Sequence, residues 1–265
     1  MPEGHTVHRQ AREHLARFGG APVHLTSPQG RFAEGADLLD GRVLERSQAH
    51  GKHLFLGFAG DLWLHVHLGL YGAWTFGAAP PPPPRGALRV RLENGESYAD
   101  LRGATACEVH TPADRDAVLA RLGPDPLGRR ADPTRAWGRV SRSRSATGLL
   151  LMDQAVVAGI GNVYRAEVLF RAGIDPHRPG RLVTHEEWDA VWADLVQLMR
   201  AGLRAGRIVT TRPRDRDRRT GRVRQTDSHY VYRRSGLPCR VCGTRVATEV
   251  MAGRNLFWCP SCQAA

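Results

Sequence analysis

The chain has 265 residues, an ordinary hydrophobic content of 42% and a formal net charge of +12 at pH 7. This length can bury a sizeable core in one large domain or in two to three smaller ones, and the hydrophobic content excludes a disordered chain. The excess of positive charge favours a polyanionic partner, most often nucleic acid. No apolar run is long enough to span a membrane and no signal peptide is evident, so we expect a protein of the cytoplasm or nucleoid.

The N-terminal sequence is Met-Pro-Glu-Gly. Removal of Met1 would leave Pro2 with a free secondary amine, and an α-amino group titrates well below a lysine side chain. An appreciable share of that amine would be a neutral nucleophile at neutral pH, and Glu3 beside it could transfer protons. The alternative interpretation is an ordinary N-terminal loop.

The first part of the chain predicts one helix followed by strands. Residues Thr6 to Phe18 carry apolar residues at helical spacing, whereas "LWLHVHL" and "LRVRL" alternate as strands do. Pro80 to Pro84 form a loop or a short polyproline segment. His65 and His67 share a strand face, where packed polar residues are a simpler interpretation than a metal site.

Helical patterns follow the stretch "RLGPDPLG". Two apolar-periodic runs are separated by Gly-Ile-Gly, which predicts Asn162 as a helix N-cap and Gly173 as a C-terminal stop. Thr184 and Glu187 form a capping box before a third helix. The arginine-rich stretch from Thr210 to Thr226 has almost no apolar residues and predicts a mobile basic loop.

Four of the five cysteines lie in the last 27 residues as two C-x-x-C pairs, namely Cys239, Cys242, Cys259 and Cys262. This spacing is typical of a structural zinc site with four thiolate ligands, and disulfides or an iron–sulfur cluster are the alternatives. Zinc binding would supply most of the folding energy of so short a segment. Cys107 stands alone and is predicted to be a small buried hydrophobe.

Together these segments resemble the formamidopyrimidine-DNA glycosylase / endonuclease VIII family of base-excision repair enzymes. The resemblance covers nearly the whole chain. It depends on four motifs in this order: Met-Pro-Glu-Gly, "GKHLF", "LLLMDQAVVAGIGNVYRAEVLFRAGIDP" and "GRNLFWCPSCQ".

The resemblance implies an α+β multidomain fold in three parts. These are an N-terminal antiparallel β-sandwich catalytic domain with a helix (1–122), a helix–two-turn–helix DNA-binding domain with the basic mobile loop (123–225) and a C-terminal zinc finger (226–265). It also implies damaged DNA as the partner, one structural Zn²⁺ and a protein that acts as a monomer without a membrane.

The resemblance implies a bifunctional DNA glycosylase/AP lyase. The damaged nucleotide is turned out of the stack, and the Pro2 amine attacks C1′ of its deoxyribose to give a Schiff base. β,δ-Elimination then cuts the strand, with Glu3 as the proton carrier. Lys52 would hold a phosphate and assist the lyase step. Since it is the only lysine among 38 basic residues, its retention is suggestive, although chance retention is the alternative.

Four further residues are implied in DNA binding. Asn162 and Arg254 would contact phosphates, although Asn162 on its own also fits a plain helix cap. Leu70 and Tyr71 would wedge into the gap that the extruded nucleotide leaves, and an ordinary hairpin turn is the alternative.

Departures from the family pattern bear on the substrate. His5 and Thr6 stand where the oxidised-purine branch continues an acidic pattern, and Thr147 and Gly148 stand where that branch tends to carry a lysine. The "LYG" wedge also favours the endonuclease VIII side, so we expect oxidised pyrimidines in preference to 8-oxoguanine. The competing hypotheses are a non-catalytic zinc-containing DNA-binding protein and, less favoured, a proline-dependent tautomerase.

Overall fold

The computed structural model describes residues 2–264 and comprises two compact units, Met1–Arg121 and Leu122–Ala265. The division predicted above has three parts and stays a prediction. Among residues 2–264 no helix combines the length and the apolar character that crossing a membrane requires.

The first unit is built from eight strands and three helices. Its helices are α1 (Gly4–Phe18), α2 (Ala33–Leu39) and α3 (Pro112–Ala120). Its strands are β1 (His24–Thr26), β2 (Leu44–His50), β3 (His53–Phe58), β4 (Leu62–His67), β5 (Ala73–Ala78), β6 (Leu88–Glu93), β7 (Ser97–Arg102) and β8 (Ala106–His110). The predicted helix and strands are thus confirmed, with α1 beginning two residues earlier than expected.

The eight strands form two four-stranded antiparallel sheets, ordered β1-β6-β7-β5 and β2-β3-β4-β8. Alternate residues of both sheets enter one buried cluster, which also receives the apolar face of α1. Its members include Val7, Phe18, Leu54, Leu64, Val66, Leu92 and Leu101. Cys107 belongs to this core as predicted, and burial raises the pKa of its thiol to about 12.

Between residues 122 and 264 the second unit contains four α-helices, three short 3₁₀ helices and one hairpin. The α-helices are α4 (Pro133–Val140), α5 (Thr147–Leu150), α6 (Asn162–Ala172) and α7 (His185–Ala205), and the hairpin strands are β9 (Ala247–Met251) and β10 (Arg254–Trp258). The stop at Gly173 is confirmed, since it takes the left-handed conformation with φ 69°. The capping box of Thr184 and Glu187 is confirmed as well.

The first of the two predicted helical runs is wrong beyond residue 150. After the single turn of α5 the chain proceeds through successive turns up to Gly161. The side chain of Asp153 accepts from Ala155 N at 2.8 Å, and Gln154 bonds both Gly159 N and the Ile160 carbonyl. These side chains satisfy the backbone locally and so replace the helical ladder. The apolar periodicity is misleading because every residue from Val156 to Gly161 is buried, whichever way its side chain points.

Candidate active site and zinc centre

Two of the three residues predicted for chemistry, Pro2 and Glu3, immediately precede α1. Glu3 is fully buried, and its carbonyl oxygen accepts from Thr6 N at 2.9 Å. Burial lowers the pKa of the neighbouring His5 to about 4, so that ring is neutral at pH 7. A half-buried proline and a buried glutamate therefore lie at the start of α1. Removal of Met1 concerns a residue outside those that the structure describes.

Lys52 occupies the two-residue turn between β2 and β3, where His50 pairs with His53. Gly51 has φ 57°, which suits such a tight turn. Burial and then the charge of Lys52 lower the pKa of His67, so Lys52 and His67 lie within electrostatic reach. The turn thus carries a half-buried cation at one end of the sheet.

Leu70 and Tyr71 lie in the loop between β4 and β5, and 47% and 88% of their surfaces are exposed. Two glycines shape this loop. Gly69 has φ 66°, and a Cβ on Gly72 would lie 2.2 Å from the Leu68 carbonyl oxygen. The loop therefore holds two large apolar side chains in solvent, an arrangement that costs free energy unless a partner covers them.

The topology brings these parts of the first unit together. Helix α1 packs against β2, and its C-terminus meets the start of that strand through Gly20 N and the Leu44 carbonyl. The end of β2, with Lys52, therefore lies toward the start of α1, with Pro2 and Glu3. Strand β4 ends at the same edge because His67 pairs with His53.

In the second unit the structure joins Asn162 to the hairpin that carries Arg254. Asn162 Nδ2 donates to the Asn255 carbonyl at 2.8 Å, and Arg165 donates to Asn162 Oδ1. The prediction of Asn162 as N-cap is wrong by one residue, because Gly161 is the cap and Asn162 begins α6. The Asn162 side chain therefore forms its hydrogen bond with the hairpin and does not cap its own helix.

Arg254 begins β10 directly after the hairpin turn of Ala252 and Gly253, whose φ angles are 49° and 70°. Two successive positive φ values match the tight turns that follow the twist of a β-hairpin. The hairpin therefore sets the half-buried Arg254 one residue from the Asn162 contact.

Glu167 is a buried residue that the sequence patterns did not reveal. Its carboxylate accepts from the backbone N–H groups of Tyr230, Val231 and Tyr232 at 2.7, 2.9 and 2.8 Å, and from the hydroxyl of Thr210. No motif spacing connects α6 to a segment sixty residues later. The carboxylate fixes that segment to α6 just before the cysteine cluster.

Hydrogen bonds close the base of the arginine-rich segment predicted as a mobile loop. Thr210 N donates to the Ser228 carbonyl at 2.9 Å, and Thr211 Oγ1 donates to the Asp227 carbonyl at 2.6 Å. Between these clamps the chain forms only short 3₁₀ turns. The irregular conformation agrees with the prediction, and its mobility stays a prediction.

The four predicted cysteines lie together, and their sulfur atoms are all within 4.8 Å of one another. Cys239 Sγ is 3.8 Å from Cys262 Sγ, and Cys242 Sγ is 3.4 Å from Cys259 Sγ. Tetrahedral zinc with bonds of about 2.3 Å separates its sulfur ligands by roughly 3.8 Å. The donor set therefore fits one structural zinc ion.

The electrostatics of the cluster also favour a cation. Burial, followed by the neighbouring sulfurs, raises the pKa of the thiols of Cys259 and Cys262. A divalent ion offsets this cost of placing several thiolates side by side. Backbone N–H groups of Val241 and Cys262 point at Cys239 Sγ and Cys259 Sγ, as is common around zinc-bound thiolates.

Three sequence profiles match the chain. They are the formamidopyrimidine-DNA glycosylase N-terminal domain (residues 1–107), the formamidopyrimidine-DNA glycosylase H2TH domain (122–213) and the zinc finger found in FPG and IleRS (236–265). The last agrees with the zinc site deduced from the sulfur geometry.

Full-length relatives agree with the profiles. "Endonuclease 8 1" of Mycobacterium tuberculosis is 53% identical over 99% of this chain and 100% of its own length. "DNA-(apurinic or apyrimidinic site) lyase Nei2" of Mycolicibacterium smegmatis is 35% identical over all of both chains. A Lactococcus lactis FPG variant in complex with a Fapy-dG containing DNA has the same fold, with a TM-score of 0.84 over both whole chains at 20% identity.

Proposed function

The chain belongs to the formamidopyrimidine-DNA glycosylase family, and from this premise we infer that it is a DNA glycosylase with AP lyase activity that removes oxidised bases from DNA. The observation that carries the inference is the arrangement at one end of the first unit. There Pro2 and the buried Glu3 at the start of α1 lie toward the same edge as the turn of Lys52 and the loop of Leu70 and Tyr71. The partner is damaged DNA.

We propose that Pro2, freed of Met1, is the nucleophile. Its nitrogen attacks C1′ of the damaged nucleotide, the bond from C1′ to the base breaks, and an iminium remains. The iminium acidifies the neighbouring sugar protons. β-Elimination then breaks the 3′ C–O bond, and δ-elimination breaks the 5′ C–O bond.

Glu3 is proposed as the proton carrier of these steps. It is completely buried and adjacent to Pro2 in the chain, so it is held out of bulk water next to the proposed nucleophile. In this scheme it protonates the ring oxygen of the sugar as the ring opens. Lys52 supplies a positive charge beside it for a phosphate next to the lesion.

We assign Leu70 and Tyr71 the role of filling the gap in the duplex. Their exposure on a glycine-shaped loop supports this role, because inserted apolar side chains offset the loss of base stacking. Asn162 and Arg254 are proposed to bind phosphate from the second unit. The hydrogen bond from Asn162 to Asn255 supports a joint site, since it couples α6 to the zinc hairpin.

The preferred lesion is proposed to be an oxidised pyrimidine. His5 and Thr6 after the Pro-Glu pair, together with Thr147 and Gly148 at the start of α5, depart from the oxidised-purine pattern. A full-length relative at 53% identity bears the name "Endonuclease 8 1", which supports this branch. We further propose a monomer in the bacterial cytoplasm or nucleoid, since the relatives described above come from bacteria.

Borohydride trapping tests the proposal. Wild type of verified N-terminus and zinc content is incubated with duplexes that contain an abasic site, thymine glycol or 8-oxoguanine. We expect a covalent adduct that is strongest with thymine glycol, lost in Pro2→Gly, lost on base lesions in Glu3→Gln and reduced in Lys52→Ala. Tight DNA binding by wild type without any adduct would instead identify a non-catalytic DNA-binding protein.

A further inference from the structure

A row of histidines lies on the face of the β2-β3-β4-β8 sheet that is turned away from the common core. Strand β4 sends Leu64 and Val66 into that core, so His65 and His67 lie on the opposite face. The ring of His53 stacks on that of His65, with centroids 5.2 Å apart. The ring of His110, from β8, is 4.6 Å from that of His65. The proposed glycosylase chemistry uses none of these contacts.

One carboxylate completes a group of three donors. The antiparallel register places Glu108 of β8 directly opposite His65 of β4. Glu108 Oε2 is 3.5 Å from His65 Nδ1 and 3.2 Å from His110 Nε2. We propose that His65, Glu108 and His110 form a second metal site, which binds a divalent transition ion such as Zn²⁺ and ties β4 to β8.

The spacing of the donors suits such an ion. One donor atom from each residue lies within 4.8 Å of the other two. Tetrahedral zinc with bonds of about 2.0–2.1 Å separates its nitrogen and oxygen ligands by roughly 3.4 Å, close to the two distances above. Two imidazoles and one carboxylate leave a fourth position for water, a ligand set that zinc and related ions accept in proteins.

The contact of His65 with His53 uses Nε2 and leaves Nδ1 for a metal ion. The distance between His65 Nε2 and His53 Nδ1 is 2.9 Å, which is a hydrogen-bond distance. The Nδ1 atom is buried and faces Glu108 Oε2 at 3.5 Å, the upper limit of hydrogen-bond distance. A second contact that fixes the tautomer and orientation of a histidine is the usual support for a metal ligand.

The contact between His53 and His65 determines which nitrogen of His65 can bind an ion. When Nε2 carries the proton and donates it to His53 Nδ1, the lone pair of Nδ1 points toward Glu108 Oε2 at 3.5 Å. In the other tautomer Nδ1 donates to the carboxylate, and a metal ion replaces that proton.

Metal stoichiometry provides the test. The full chain without an affinity tag, with its cysteine site filled, is dialysed against micromolar Zn²⁺, and bound zinc is measured by mass spectrometry. We expect two zinc ions per chain in wild type and one in Glu108→Gln and in His65→Phe. His24→Gln removes a surface histidine that contacts Asp40 at 2.7 Å, and this control should retain two ions.

Cobalt spectroscopy shows which site is filled. Co²⁺ at the four cysteines gives intense thiolate charge-transfer bands in the near ultraviolet, whereas a second equivalent at nitrogen and oxygen ligands adds only weak visible bands. We expect Glu108→Gln to lose the weak bands and keep the intense ones, which also shows that the chain is folded. Saturation of wild type at one equivalent, or a second equivalent that persists in both site variants, would overturn the proposal.

Discussion

At the scale of single residues, Glu167 determines how the end of the chain is attached to α6. Its buried carboxylate accepts hydrogen bonds from three successive backbone N–H groups. No turn or sheet provides acceptors for these groups, so the carboxylate takes that place. Each charge-assisted hydrogen bond contributes about 1.5–3 kcal/mol, and removal of a buried partner leaves donors unsatisfied. The residue therefore stabilises the approach to the zinc centre without belonging to it.

Glu167→Gln tests this role. The amide offers one acceptor oxygen and turns an NH₂ group toward backbone donors, so we expect the second unit to lose about 3 kcal/mol of stability. Amide hydrogen exchange at Tyr230–Tyr232 should accelerate by about a hundredfold if these groups open locally. The control Glu186→Gln, on the exposed face of α7, should exchange at those positions as wild type does. Unchanged protection in Glu167→Gln would refute the assignment.

Some residues of the candidate site could be predicted from the sequence, and others could not. The zinc cysteines were predictable because metal ligands follow a fixed local spacing, and the grouping of their sulfurs confirms it. The hydrogen bond from Asn162 to the Asn255 carbonyl could not be predicted, because the two residues are far apart in the chain. Glu167 and the triad of His65, Glu108 and His110 depend likewise on tertiary contacts and strand register. The roles of Pro2, Glu3 and Lys52 stay predictions.

At the scale of elements, His177 links the segment after α6 to the zinc hairpin. Its Nδ1 lies 2.8 Å from Asp175 Oδ1, and its Nε2 lies 2.6 Å from Glu249 Oε1 of β9. Burial acts to lower the pKa of His177, but the hydrogen bonds and charges of Glu249 and Asp175 outweigh it and raise the pKa above 6.5. The protonated ring is therefore favoured in the folded state.

This raised pKa predicts a pH dependence. The folded state binds the proton more tightly than the unfolded state, so the contribution of His177 is fully present below about pH 6.5 and is lost as pH rises through the folded pKa. The free energy of unfolding of wild type minus that of His177→Gln should therefore fall between pH 6.5 and 9. His185→Gln, which alters an exposed histidine paired with Asp189 within α7, is the control. A difference that rises with pH would contradict the assignment.

The elements themselves were predicted with uneven success, for a physical reason. Helices α1 and α7 have one buried and one exposed face, and strands β4 and β6 alternate aliphatic residues with aromatic or polar ones. Their periodicity is therefore visible in the sequence. In the stretch from Leu151 to Gly161 the residues from Val156 onward are all buried, so their apolar pattern does not distinguish turns from a helix. Only the positions of Asp153 and Gln154, whose side chains bond the backbone, hint at turns.

At the scale of the whole molecule, the net charge of +12 predicts salt-sensitive DNA binding. Each phosphate that the protein neutralises adds about 0.9 to the slope of log Kd against log salt concentration. Arg254→Gln should lower this slope by about one for both lesion-bearing and undamaged duplexes, as measured by fluorescence anisotropy from 50 to 300 mM salt. Arg200→Gln, on the exposed side of α7, should leave it unchanged. An unaltered slope in Arg254→Gln would exclude a phosphate contact there.

The clamp of Thr210 and Thr211 on Asp227 and Ser228 has an evolutionary consequence. It closes the arginine-rich segment at its base, and Asp215, Asp217 and Thr226 within the segment also contact Arg240 beside the zinc cysteines. Changes between Arg218 and Arg222 leave all of these contacts in place. Doubling the length of such a closed loop costs only about 0.6 kcal/mol of closure entropy. Insertions, deletions and exchanges of composition can therefore accumulate there at little cost to folding. The segment is the place where proteins that share this scaffold can diverge in length and charge while their architecture is inherited unchanged.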